Sequence, residues 1–177
     1  MNKKNLIVSL ILNIVIFVMV LLGTIFMIVG YRFMSNTQVL SSSGLSLLKY
    51  YTVDSNIFVG IASFIFIIYE CLVLNNKIKE IPKYVYVFKY VGTVGVCLTF
   101  LVTLFYLAPS YGNKFLFLYQ NSNLFFHLLV PILSFISFVY IEKIELNFKY
   151  ALYGISTMIV YGIYYVVNIL VHQESGK

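Results

Sequence analysis

The chain has 177 residues, 61% of them hydrophobic and 10% charged, with a mean hydropathy of +0.94. Soluble domains carry roughly 25% charged residues, so a water-facing surface over most of the length is excluded, and with it disorder, a coiled coil and nucleic-acid binding. The net charge of +6 comes from basic residues lying mostly between apolar runs, where they orient a membrane protein.

A bilayer core needs roughly 20 apolar residues per helix. Five runs qualify, at about 5–30, 53–75, 85–108, 123–141 and 150–171. The expected fold is all-α, a polytopic integral membrane bundle of about five transmembrane helices, with residues 1–177 forming a single transmembrane domain. The first run follows Lys3 and Lys4 but exceeds the roughly 7–15 apolar residues of a signal peptide and has no small-x-small cleavage pattern, so it reads as an anchor. Tyr31 to Tyr51, with Ser35-Asn36-Thr37 and Ser41-Ser42-Ser43-Gly44, is too polar to span and reads as a loop whose end, Leu45 to Tyr51, forms a short interfacial helix. Asp54-Ser55-Asn56 and Asn121-Ser122-Asn123 precede the second and fourth runs, and each suits a helix N-cap. The segment 110–122 either links two spans or re-enters the membrane.

Basic residues alternate between the connecting segments. Lys3, Lys4, Lys77, Lys79, Lys83, Lys89, Lys143 and Lys149 fall on one side, against Arg32, Lys49, Lys114 and Lys177 on the other. The bias favours a cytoplasmic N-terminus and, with five spans, an external tail from His172 to Lys177. Lys49, Lys83 and Lys89 with nearby tyrosines fit an interfacial belt. Cys71 and Cys97 lie inside apolar runs and read as small core residues, with neither a disulfide framework nor a zinc site indicated. No cofactor or metal is implied.

The runs are apolar almost all round, so their polar residues carry the information. At about 1.5 Å of rise per residue, Thr52, Ser55 and Asn56 share an outer layer with Asn123 and His127. Tyr161, Tyr165 and Asn168 lie on one face of the last helix in that layer, and the third run adds Thr103 and Tyr106. An outer-half pocket is expected. Intramembrane ionisable groups usually face the bundle interior, which makes His127 the leading functional residue, either as a neutral bridge between helices or as a base. Pro131 clashes with the His127 carbonyl and is expected to kink the helix there. Asp54 is turned away from Thr52 if the helix already includes both residues. Glu70 is expected to snorkel to the inner interface or pair with Lys77, and Asn13 to make an interhelical hydrogen bond.

Lys49-Tyr50-Tyr51-Thr52-Val53-Asp54-Ser55-Asn56, with Phe126-His127-Leu128-Leu129-Val130-Pro131, resembles bacterial relatives of the androgen-induced membrane hydrolases, which cleave esters of hydroxy fatty acids. The resemblance implies a lipid-ester hydrolase with Thr52 as nucleophile and His127 as base. Asp54, Ser55, Asn56, Asn123, Tyr161, Tyr165 and Asn168 would then be substrate-binding, oxyanion-stabilising or supporting residues. The implied partner is a membrane lipid or fatty acyl ester, reached through a cleft open to lipid. A transporter or channel subunit, and a structural membrane protein, are the alternatives. Polar residues in both halves would favour transport, and clustering in the outer half an enzyme.

Overall fold

The computed structural model describes residues 2–36, 44–145 and 147–172. Five helices are long and apolar enough to cross a bilayer: α1 Lys3–Val29, α2 Tyr51–Leu74, α3 Lys83–Ser110, α4 Ser122–Glu142 and α5 Phe148–Val171. The all-helical polytopic membrane architecture expected from hydropathy is the one observed. Residues 37–43 of the loop, with Ser41-Ser42-Ser43, and the tail beyond 172 lie outside the described residues. Gly44–Lys49 forms a short 3-10 helix ahead of α2, and Gly112–Tyr119 a second one between α3 and α4.

Lipid is as apolar as leucine, so membrane helices associate through close packing and polar contacts rather than hydrophobic burial. The inward stripes show this. On α1 the buried residues are Leu6, Ser9, Asn13, Ile16, Val20 and Gly23. On α2 they include Asn56, Val59, Ser63, Phe66 and Glu70, on α3 Val85, Lys89, Gly92, Val96 and Thr99, and on α4 Asn123, His127, Val130, Ser134 and Ser137. Steps of three and four alternate in each stripe, the spacing that keeps one seam of a helix facing its neighbours in a left-handed bundle. The opposite faces, such as Ile7, Ile11, Ile14 and Val18 on α1, are exposed to lipid.

Helices α1 to α4 form the core, and α5 stands at its edge. Only 6% of the most apolar window of α5 is buried, against 33–44% for the other four. It leans on α3 and on the start of α2, where Tyr51 Oη lies 3.0 Å from Thr157 Oγ1 and Tyr161 Oη donates to the Lys49 carbonyl at 2.8 Å.

Three stretches widen into π-helix: Thr103–Leu107, Phe125–Leu129 and Ser137–Glu142. The first two end two residues before Pro109 and Pro131. A proline removes one helical hydrogen bond and crowds the carbonyl four residues back, and a wider turn makes room for the ring. The distortion expected at Pro131 is therefore taken up by a π-helical turn that contains His127 itself.

Several expectations are corrected. Glu70 and Lys89 are fully buried rather than placed at an interface, and Cys71 is exposed rather than in the core. Tyr106 is 73% exposed and leaves the outer layer, whereas Thr103 is buried in it. The capping clusters do not cap. Tyr50 occupies the N-cap of α2 without a side-chain bond, and Asn121 makes no cap bond at the start of α4. Ser55 and Asn56 turn back instead to the Thr52 carbonyl, at 3.2 and 2.7 Å.

Candidate functional site

Because α2 is helical from Tyr51, the polar residues at the end of the bundle opposite the start of α1, the outer layer of the sequence reading, divide between two of its faces. Asp54 and Ser55 look toward α5, where they line a cleft of about 440 Å³ together with Tyr51, Phe58, Thr157 and Tyr161. Gly95 permits this approach, since a Cβ there would stand 3.3 Å from Tyr51 Oη and 3.5 Å from Thr157 Oγ1. Asn56 faces the bundle interior and α4. The single outer pocket expected from depth is thus a lipid-side cleft and an interior cluster, with the first turns of α2 between them.

The interior cluster is organised by one amide. Asn56 Nδ2 donates to the Thr52 carbonyl at 2.7 Å and to the Phe126 carbonyl at 3.2 Å, which ties the start of α2 to the residue preceding His127. His127 is 5% exposed, and its Nδ1 lies 3.0 Å from the Leu118 carbonyl. A backbone carbonyl is an acceptor only, so Nδ1 carries the proton in this pairing and the lone pair resides on Nε2. The Leu118 carbonyl reaches the ring because the 3-10 segment Gly112–Tyr119 folds back over the outer end of the bundle, burying Leu118. Asn56 Oδ1 and Asn123 Oδ1 are buried without partners, so the cluster keeps unused acceptors for a bound donor. Among the described residues, Thr52 Oγ1 and His127 share no hydrogen bond.

The remaining residues of the outer layer are less closely joined. Tyr161 packs on Tyr51 with ring centroids 5.1 Å apart, and Tyr165 stacks on Tyr161 at 6.2 Å. Tyr165 is exposed and Asn168 half-buried, both on the outer part of α5, and neither lines the cleft with Asp54.

Sequence reasoning missed a second buried cluster on the side where α1 begins. Asn13 is its centre: Lys89 Nζ donates to its Oδ1, while its Nδ2 donates to Glu142 Oε1 at 3.3 Å and to Glu70 Oε2 at 3.5 Å. Lys89 also donates to Ser63 Oγ at 2.7 Å, and Ser137 Oγ to Glu142 Oε1 at 2.8 Å. The interhelical role expected of Asn13 is therefore fulfilled three times over. The 3-4 spacing of Ser9 and Asn13, and of Ser134 and Ser137, was the available signal. Between the two clusters lies a dry layer of Ile16, Val20, Val59, Val96 and Val130, all buried.

Comparison of the chain with protein-family models, curated proteins and solved structures finds no match.

Proposed function

We propose that this integral membrane protein is an intramembrane hydrolase of fatty acyl esters, with its N-terminus cytoplasmic in a bacterial plasma membrane. The observation that carries the reading is the Asn56 bridge, which brings the backbones of Thr52 and of the residue before His127 onto one amide nitrogen. The pairing of Nδ1 with a carbonyl leaves Nε2 as the basic nitrogen, which is the role of the orienting group in nucleophile-and-base sites. Removing Lys89 from the interfacial count leaves seven lysines on the N-terminal side against four basic residues on the other, so the charge bias behind the orientation stands.

In this reading, closure on the substrate draws Thr52 Oγ1 to His127, since catalytic hydrogen bonds in unliganded sites are often long and tighten in the complex. Oγ1 attacks the ester carbonyl as Nε2 takes its proton. The C–O bond to the leaving alkoxide breaks with proton return from the imidazolium, and water then hydrolyses the acyl-threonine. Asn56 positions the pair, because its amide hydrogens are engaged by two carbonyls. Asn123, Tyr165 and Asn168 remain candidates for holding the substrate or its oxyanion. The apolar cleft beside Asp54, Ser55 and Tyr161 suits an acyl chain entering from lipid.

The test is labelling of the purified full chain with a fluorophosphonate probe, comparing wild type with Thr52→Ala and His127→Ala, all monodisperse. Labelling of wild type, lost in both variants, is the expected result. Labelling that survives Thr52→Ala, or none in wild type, overturns the assignment.

A further inference from the structure

The inner cluster sits apart from the Thr52–His127 reading, across the dry layer, and has a chemistry of its own. Two acids and one lysine meet where lipid is excluded: Glu70 and Lys89 are fully buried and Glu142 is 4% exposed. With all three ionised, the cluster carries one uncompensated negative charge. Burying such a charge is among the largest penalties a membrane interior imposes, so a further positive charge is required.

The hydrogen-bond supply separates the two carboxyl groups. Glu142 Oε1 accepts from Ser137 at 2.8 Å, Asn13 at 3.3 Å and Ser9 at 3.4 Å. Glu70 Oε2 accepts a bond of 3.5 Å from Asn13, Ser9 stands beside both carboxyl groups, and Glu70 Oε1 is buried without any partner. An ionised carboxylate is stabilised by several donors, whereas a protonated one brings its own donor and needs an acceptor. Glu142 Oε2 and Ser134 Oγ are buried and unpartnered as well, and Ser134 lies one turn from Ser137 on the same face of α4. The two orphaned carboxyl oxygens are therefore acceptors short of a hydrogen, and the Ser134 hydroxyl is a donor short of an acceptor.

The cluster also reaches the aqueous side. Glu142 contributes to the wall of a cleft of about 370 Å³ at the face where α1 begins, whose rim carries Lys79, Glu80, Lys83, Lys143 and Glu145. The other titratable groups facing Glu70 are Lys89 and Tyr86 from α3 and Glu142 from α4, while α1 presents the non-titrating Ser9 and Asn13.

We propose that the interior of α1 to α4 is a proton-binding site, in which Glu70 carries the proton, Glu142 stays ionised opposite Lys89, and exchange runs through the cleft beside Glu142. Asn13 touches all three ionisable groups, so gain or loss of the proton is felt on α1, α2, α3 and α4 through one side chain.

Infrared spectroscopy of the full chain in lipid nanodiscs at neutral pH tests this. The wild type is expected to give a protonated-carboxyl stretching band that shifts in D2O, is lost in Glu70→Gln and is retained in Asp54→Asn. In Lys89→Met the lost positive charge is expected to place a proton on Glu142 too, adding a second band. Monodisperse elution and helical circular dichroism establish folding for each protein. Absence of the band in folded wild type, its survival in Glu70→Gln, or an unchanged band in Lys89→Met overturns the proposal. Loss of the band when sodium chloride replaces choline chloride also overturns it, by assigning the site to a metal cation. If Glu70→Gln fails to fold, wild type and Lys89→Met still decide.

Discussion

Asparagine does the joining in this protein, through both ends of the amide at Asn13 and through Nδ2 alone at Asn56. Asn13 accepts from a lysine and donates to two acids, and Asn56 links two helices through two carbonyls. Asn121 shows the same chemistry outside the bundle. Its backbone has φ 54° and ψ −137°, a positive-φ conformation outside the left-handed helical region and rare for any residue but glycine, and its Oδ1 accepts from the amides of Phe33 and Met34 at 2.8 Å and of Ser35 at 3.4 Å. Its Nδ2 returns a bond to the Ser35 carbonyl at 3.0 Å, so one side chain pins the exit of α1 to the start of α4. Asn121→Ala leaves these part-buried amides without that acceptor and is expected to cost about 1–3 kcal/mol. Hydrogen exchange at Phe33 to Ser35 should accelerate strongly in the alanine variant and much less in Asn121→Asp, which keeps an acceptor. Equal acceleration in both would mean that loss of the Nδ2 bond, rather than of Oδ1, is what matters.

At the scale of the helix, packing rests on small residues where backbones approach. A Cβ on Gly92 would stand 3.0 Å from the Val59 Cα, and one on Gly60 would stand 2.7 Å from Val20 Cγ1, whereas Gly162 on α5 has nothing within 4 Å. Backbone cannot yield as a side-chain tip can, so Gly92→Ala is expected to destabilise by about 1–3 kcal/mol. Gly162→Ala is expected to be neutral or slightly favourable, since alanine is the better helix former. Unfolding in mixed detergent should rank Gly92→Ala well below wild type and Gly162→Ala beside it, and the reverse order would contradict the assigned α2–α3 contact. These helices also show what was legible beforehand. Run length alone located all five spans, because a bilayer demands about 20 apolar residues and tolerates few charges. Facing was hidden, because lipid-exposed and buried surfaces are both apolar and periodicity loses its contrast. Depth arithmetic placed Thr52, Ser55, Asn56, Asn123 and His127 in one layer, and helical phase turned Asp54 away from Thr52 once both were helical, yet neither could tell that Ser55 turns to the α5 side with Asp54. Lys89 and Glu70 were misplaced for a related reason: near a helix end, sequence position cannot distinguish a snorkelling chain from one folded inward onto a partner, and the Asn13 that receives Lys89 lies on a different helix.

For the molecule as a whole, the decisive feature is that polar groups occupy both halves of the bundle without joining. Outer Asn56, Asn123 and His127 are separated from inner Asn13, Ser63 and Lys89 by Ile16, Val20, Val59, Val96 and Val130, contributed by all four core helices. A translocation path needs water or polar side chains throughout, because an ion or proton finds no partner in an aliphatic layer. Distribution through both halves would by itself favour transport, whereas an intervening aliphatic layer that stays closed is expected to leave each polar cluster reached from one side only. Vesicles containing the protein and a trapped pH-sensitive dye should therefore hold an imposed pH gradient as long as protein-free vesicles do. Introducing hydrogen-bonding groups into the layer, as in Val59→Asn combined with Val96→Asn, should connect the clusters and speed the decay. The double variant must remain monodisperse and helical for the comparison to count. Rapid decay with wild type would mean that the layer opens, and the two clusters would then be stations on one path across the membrane rather than separate sites.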